Sequence, residues 1–221
     1  RGELHPEPLI AAKLAIKNGA HSITLHLRED RRHIRDKDLS DIRKVKGLLI
    51  NLEIAPTKEM LKVALKKKPN FVCIVPEKRK EITTEGGLNL KKNKKKLIYI
   101  IDKLNKKNIR TSLFINPNLK DIIISKNLGT KCIELHTGKI SLLVKNKLNY
   151  SAELKKIIEC AKLANSVGIE VHAGHGIDYK TAQILSKVKF IKEFNIGHFI
   201  IGDSIFHGLK NVIKKFKKII N

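Results

Sequence analysis

Short apolar runs rich in β-branched residues alternate along the chain with longer stretches whose apolar positions recur every three to four residues. The first pattern predicts strands and the second helices. Leu9–Asn18 reads as a helix ending at Gly19, Ser22–Leu27 as a strand and Ile34–Val45 as a helix. Leu48–Ile54 is a predicted strand, and Thr57 opens a helix that runs to Lys67. The alternation continues with strand Asn70–Val75, helix Leu90–Asn108, strand Arg110–Ile115, helix Leu119–Asn127 and strand Cys132–Thr137. It ends with helix Ser151–Val167, strand Glu170–Ala173, helix Tyr179–Val188, strand Phe194–Ile201 and helix Ser204–Ile220.

These are seven strands and eight helices, starting with a helix. The strands read as near-continuous apolar runs, the pattern of parallel strands covered on both faces. Strict alternation over this length predicts an α/β fold of the (β/α)8 TIM-barrel type, as one domain over residues 1–221. A closed barrel needs one strand more. The single methionine is Met60, so we expect the first strand upstream of Arg1. A doubly wound open sheet is the alternative fold, but no GxGxxG turn follows a strand here.

Composition narrows the picture only slightly. No apolar run reaches the roughly 18 residues of a membrane span, and the N-terminal residues have no signal-peptide core. A cytoplasmic protein is therefore expected. Cys73, Cys132 and Cys160 are far apart and each sits in an apolar segment, which reads as buried thiols. The net charge of +25 invites a nucleic-acid reading. Against it, 38 of the 46 basic residues are Lys, spread over every helical segment, and Trp is absent. Nucleic-acid surfaces favour Arg forks and stacking aromatics. A solvated cationic surface that attracts small anions is the simpler reading.

Chemistry gathers at the ends of the strands, where barrels carry their active sites. Glu53 lies in the apolar run Asn51-Leu52-Glu53-Ile54-Ala55. A carboxylate there is either salt-bridged or held ready to move protons with a raised pKa. His26 ends its strand and reads either as a core histidine bonded to a carbonyl or as a functional residue of the strand end. His175 lies between Gly174 and Gly176, where backbone can approach a ligand. Gly176 and Gly197 suit an anion cradle near helix N-termini, although ordinary turn glycines would look the same. Residues 76–87 read either as a long loop or as a lid hinged at Gly86-Gly87. His26, His33, His136, His175 and His198 come from different strands and lack metal-ligand spacing, so no metal is expected.

Several stretches resemble one known family. They are His26-Leu27-Arg28-Glu29-Asp30-Arg31-Arg32-His33, Asn51-Leu52-Glu53, the block from Val75-Pro76-Glu77-Lys78-Arg79 to Thr83-Thr84-Glu85-Gly86-Gly87, His136-Thr137-Gly138, Ala173-Gly174-His175-Gly176 and Asn195-Ile196-Gly197-His198. In this order they resemble the pyridoxine 5'-phosphate synthase family. The resemblance implies a cofactor-free and metal-free condensation of 3-amino-2-oxopropyl phosphate with 1-deoxy-D-xylulose 5-phosphate. It implies His26 and Glu53 as proton acceptors and His175 as proton donor. It implies Arg28, His33 and Thr83 as ligands of the deoxyxylulose phosphate. Arg1, Gly176, Gly197 and His198 would bind the other phosphate. A homo-oligomer, an octamer, is implied as well. His172, Asp203 and the segment Lys139–Tyr150 depart from the family pattern. Asp203 reads either as a charge near the phosphate site or as a cap of the last helix.

Overall fold

A computed structural model describes residues 5–77 and 86–221. The expected sites Arg1 and Thr83, and most of the expected lid, lie outside them. The described elements run α1 (Pro8–Lys17), β1 (Ile23–His26), α2 (Asp36–Arg43), β2 (Ile50–Ile54), α3 (Lys58–Lys67), β3 (Phe71–Ile74), α4 (Leu90–Asn105), β4 (Arg110–Ile115) and α5 (Leu119–Asn127). They continue β5 (Cys132–His136), α6 (Gly138–Lys145), α7 (Ser151–Ser166), β6 (Glu170–Gly174), α8 (Tyr179–Leu185), β7 (Ile191–Asn195), α9 (His198–His207) and α10 (Leu209–Ile220). All seven strands pair in parallel in sequence order, β1 to β7. Side chains on the two edge strands meet, with the Thr24 hydroxyl donating to Asn195 Oδ1 at 2.8 Å. The sheet is thus curled into a barrel shape, as the alternation predicts.

The pleat sorts the side chains. Ile50, Leu52 and Ile54 of β2, Val72 and Ile74 of β3, and Ile133 and Leu135 of β5 are buried under the helices in the main apolar core. Burying each of these side chains stabilises the fold by about 1.5–3 kcal/mol. The alternate positions face the barrel interior and are largely polar: Thr24, Asn51, Cys73, Glu134 and Asn195 contact one another there. The strands are therefore apolar on one face only, and the reading of near-continuous apolar runs is corrected on this point.

Thr57 caps α3 as expected, accepting from the Met60 N–H. Three other boundaries differ from expectation. Strand Phe194–Ile201 is in fact β7, which starts at Ile191 and stops at Asn195; His198 onward is helix. A short apolar run such as Phe199-Ile200-Ile201 fits either period. The single last helix is two, divided at Gly208, whose φ of +75° belongs to the left-handed region. Lys139–Tyr150 contains a helix, α6, that periodicity left unassigned.

Candidate active site

The described candidates lie at or just beyond the C-terminal ends of β1, β2, β6 and β7. His26 and Glu53 are direct register partners on β1 and β2. His26 Nδ1 lies 3.7 Å from Glu53 Oε2, and its Nε2 lies 3.7 Å from Glu77 Oε2. Glu77 follows β3 and its side chain is buried. It accepts from the Glu29 N–H at 3.1 Å and stands 3.7 Å from Arg28 Nε. One carboxylate thus ties the His26 imidazole to the buried Arg28 and to the turn that follows it.

Burial shapes the protonation of this group. Glu53 is only a fifth exposed at its side chain, in a crevice of the barrel mouth, and desolvation lifts its pKa from 4.5 to about 7. Desolvation lowers His26 to about 4, and the nearby Arg28 and His33 charges push the same way. His26 is therefore a neutral imidazole at pH 7, while Glu53 is divided between its two forms. His33 is exposed at the rim.

Beneath the mouth lies Glu134, which the motif reading passed over. It is 2% exposed, accepts from the Asn195 side-chain amide at 2.9 Å and lies 3.7 Å from Cys73 Sγ. Burial raises its pKa well above the carboxylate range, and the Glu53 charge adds to this. Its signal in the sequence is the same as that of Glu53: an acid between Ile133 and Leu135 inside an apolar strand. Gly174 has no room for a side chain, because a Cβ there would collide with the Glu134 carboxylate.

The β5 and β6 ends form the other wall. His175 has φ +79°, strained for a residue with a Cβ. The Thr137 hydroxyl contacts the carbonyls of Gly174 and His175 at 2.7 and 2.8 Å and anchors this turn. The His136 and His175 rings lie 4.8 Å apart, with Phe114 edge-on to His136 at 5.3 Å. Burial lowers His136 to about 4. Gly176, with φ +75°, packs over Gly138 and Ser141. Gly197 is different: its φ is −116° and a Cβ would meet nothing within 4 Å. The fold itself does not demand glycine at this position. Gly197 precedes α9, and His198 is that helix's exposed first residue, so the two sit beside a helix N-terminus, where anions bind favourably.

The guanidinium of Arg31 holds its own loop together: it bonds Asp36 at 2.9 Å, Glu59 at 3.0 Å and two backbone carbonyls. Two expectations are corrected here. Asp203 does not cap the last helix. It lies within α9, accepts from the Tyr179 hydroxyl at 2.6 Å and stands 3.3 Å from His207 Nδ1. Gly87 is needed for close approach, since a Cβ would collide with the backbone of Ile115 and Asn116. That end of the expected lid is pinned to β4 rather than free to hinge. Among the described residues, the five histidines considered for a metal form no three-ligand cluster, and no helix is long and apolar enough to cross a membrane.

A parallel α/β sheet curled into a barrel shape, with carboxylates and imidazoles at the C-terminal ends of its strands, is the architecture of a barrel enzyme. Solved structures share the fold. A 4-hydroxy-2-oxoglutarate aldolase/2-deydro-3-deoxyphosphogluconate aldolase matches with TM-score 0.67 at 13% identity, covering all of this chain and 90% of that one. A phosphoribosylanthranilate isomerase from Thermotoga maritima matches with TM-score 0.58 at 15% identity, covering 96% and 93%. Sequence relatives are far nearer. The chain is 62% identical over 221 residues to the pyridoxine 5'-phosphate synthase of Pelagibacter ubique, covering all of this chain and 92% of that protein. It is 48% identical to the pyridoxine 5'-phosphate synthase of Wolbachia pipientis, covering all of this chain and 93% of that protein. The family model for the pyridoxal phosphate biosynthesis protein PdxJ matches residues 1–221, and the chain belongs to that family.

Proposed function

We propose that this chain is a pyridoxine 5'-phosphate synthase, acting in vitamin B6 biosynthesis on two small phosphorylated substrates. The observation that carries the reading is the His26–Glu53 pair at the mouth of a barrel whose sequence belongs to this family. In the proposed reaction the amine of 3-amino-2-oxopropyl phosphate attacks the ketone of 1-deoxy-D-xylulose 5-phosphate. One water leaves as the imine forms; loss of phosphate follows, and a second water leaves as the ring closes. Each step moves protons between carbon, nitrogen and oxygen, and no redox change is needed.

The residues suit such transfers. Neutral His26 accepts a proton, and Glu53, with a pKa of about 7, can both take and return one near neutrality. His175 is assigned the donor role on the opposite wall. Glu134 beneath them, whose pKa burial raises well above the carboxylate range, holds the Asn195 amide. Arg28, His33 and Thr83 are assigned to the deoxyxylulose phosphate. Arg1, Gly176, Gly197 and His198 are assigned to the second phosphate. We further propose that the protein works without cofactor or metal in the reaction, in the cytoplasm, as a homo-oligomer and without nucleic acid.

The test is to supply both substrates to the purified protein and to quantify pyridoxine 5'-phosphate and released phosphate together. Equal amounts of both are expected. Glu53→Gln should lower kcat by about 10²–10⁴-fold while circular dichroism shows a folded chain. Absence of product from folded wild-type protein would overturn the reading.

A further inference from the structure

The closed end of the barrel, opposite the mouth, holds a second group of ionisable side chains that the proposed reaction does not use. Cys132, Glu170 and Arg110 are the first residues of β5, β6 and β4. Cys132 is the register partner of Glu170. His172 stands two residues beyond Glu170 and so faces the same side of β6. One ligand atom from each of Cys132, Glu170 and His172 lies within 4.8 Å of the other two. Cys132 and His172 are each 1% exposed, while Glu170 reaches solvent.

Two further observations point to a cation. The first is a concentration of carboxylates: the guanidinium of Arg110 is placed against two of them, Glu170 at 2.7 Å and Glu193 at 3.1 Å. The second is a pair of orphaned polar atoms. His172 Nδ1 and Glu193 Oε1 are buried without a hydrogen-bond partner among the described residues, although they face each other at 3.6 Å. The other ring nitrogen, Nε2, points at Glu170 Oε1 at 2.8 Å.

We propose that Cys132, Glu170 and His172 form a binding site for a zinc-class divalent metal ion at the closed end of the barrel. Thiolate, imidazole and carboxylate are zinc's ordinary ligands. Tetrahedral coordination places such ligand atoms about 3.3–3.8 Å apart, so small side-chain adjustments complete the site. The ion enters between His172 Nε2 and Glu170, and water reaches the fourth position past the exposed Glu170. Binding releases the Cys132 thiol proton to solvent. The three negative charges of Cys132, Glu170 and Glu193 are then cancelled by the dication and Arg110. With Nε2 on the metal, Nδ1–H donates to Glu193, which satisfies both orphaned atoms and orients the ring. Arg110 holds the Glu170 carboxylate in the same supporting way. Because the ligands come from adjacent strands, the ion staples β5 to β6 and should raise Tm.

The test is to strip the purified protein with a chelator and titrate it with Co²⁺, then with Zn²⁺. One equivalent of cobalt should give tetrahedral ligand-field bands and a thiolate-to-cobalt charge-transfer band, and zinc should displace it. Cys132→Ser should remove the charge-transfer band and weaken zinc binding at least about 100-fold, and Glu193→Gln should weaken it about 10–100-fold. The band should survive in Glu53→Gln and in a Cys73→Ser, Cys160→Ser double variant. That double variant assigns the sulfur ligand even if Cys132→Ser does not fold. Failure to take up one equivalent of cobalt, a spectrum without the thiolate band, or a band that persists without Cys132 would each overturn the proposal. Any of these would leave His172 a structural side chain packed between Glu170 and Glu193.

Discussion

Glu53 carries opposite consequences for activity and for stability. Its folded-state pKa of about 7 lies above the ordinary 4.5, so the folded chain prefers the protonated form. That preference contributes stability present in full below about pH 4.5 and lost as pH rises through about 7. A proton acceptor, by contrast, must be ionised. We therefore expect kcat/KM to climb through about pH 7 while this group's share of stability falls over the same interval. Glu53→Gln should reverse the pattern: turnover is lost, yet the variant gains about 1–3 kcal/mol over wild type at pH 8 relative to pH 5. Paired thermal melts at the two pH values check this, and a gap that does not widen with pH would contradict the burial argument. His26 does not share the problem, since at about 4 it stays neutral throughout this range.

At the scale of elements, the strand ends and their glycines do different work. Gly174 on β6 makes room for the Glu134 carboxylate on β5. Gly174→Ala must displace that carboxylate and leave the Asn195 amide unpaired, a loss of about 1–3 kcal/mol. Both Tm and kcat should drop. Gly197, at the entry to α9, meets no steric limit. Gly197→Ala should change stability by no more than about 0.5 kcal/mol but raise KM for the aminooxopropyl phosphate, because in the proposed assignment a methyl group would stand where backbone approaches the anion. Substrate titration beside a melt separates the two cases; a large Tm loss in Gly197→Ala would assign that glycine to the fold instead. The resemblance had placed Gly176 and Gly197 in one role, yet only Gly176 has the positive φ that itself favours glycine.

Across the whole molecule, the net charge of +25 acts on anions at long range. Both substrates are phosphates in the proposed reaction, so KM should rise about tenfold between low salt and about 0.5 M salt while kcat holds, as screening shortens the reach of the field. Steady-state kinetics over a salt series gives the answer, and a flat KM would show that the charge serves solubility alone. The same surface carries an apolar exception on α9, where Ile201, Ile205 and Phe206 are 61, 79 and 81% exposed. If the proposed homo-oligomer covers this face, Phe206→Glu should shift the protein to smaller species in sedimentation velocity.

Periodicity along the chain was enough to determine seven parallel strands, because an apolar face under helices leaves its mark on every strand. It also singled out Glu53, because an acid between Leu52 and Ile54 is costly to bury unless it is paired or reactive, and the quoted motifs identified the family. The same physics would have flagged Glu134, which the motif reading overlooked. What one-dimensional pattern could not decide was partnership. Glu77 belongs to the His26–Arg28 pair through a turn packed across β1 and β3. His172 sits with Cys132 and Glu170 at the far end of the barrel because strand register, not sequence distance, brings them together. The break at Asn195 was hidden because Phe199-Ile200-Ile201 satisfies both periods until the strand has met its neighbours. Local preferences are written in each segment, but the meeting of side chains from distant strands is set by the curl and stagger of the sheet, which only the folded chain possesses.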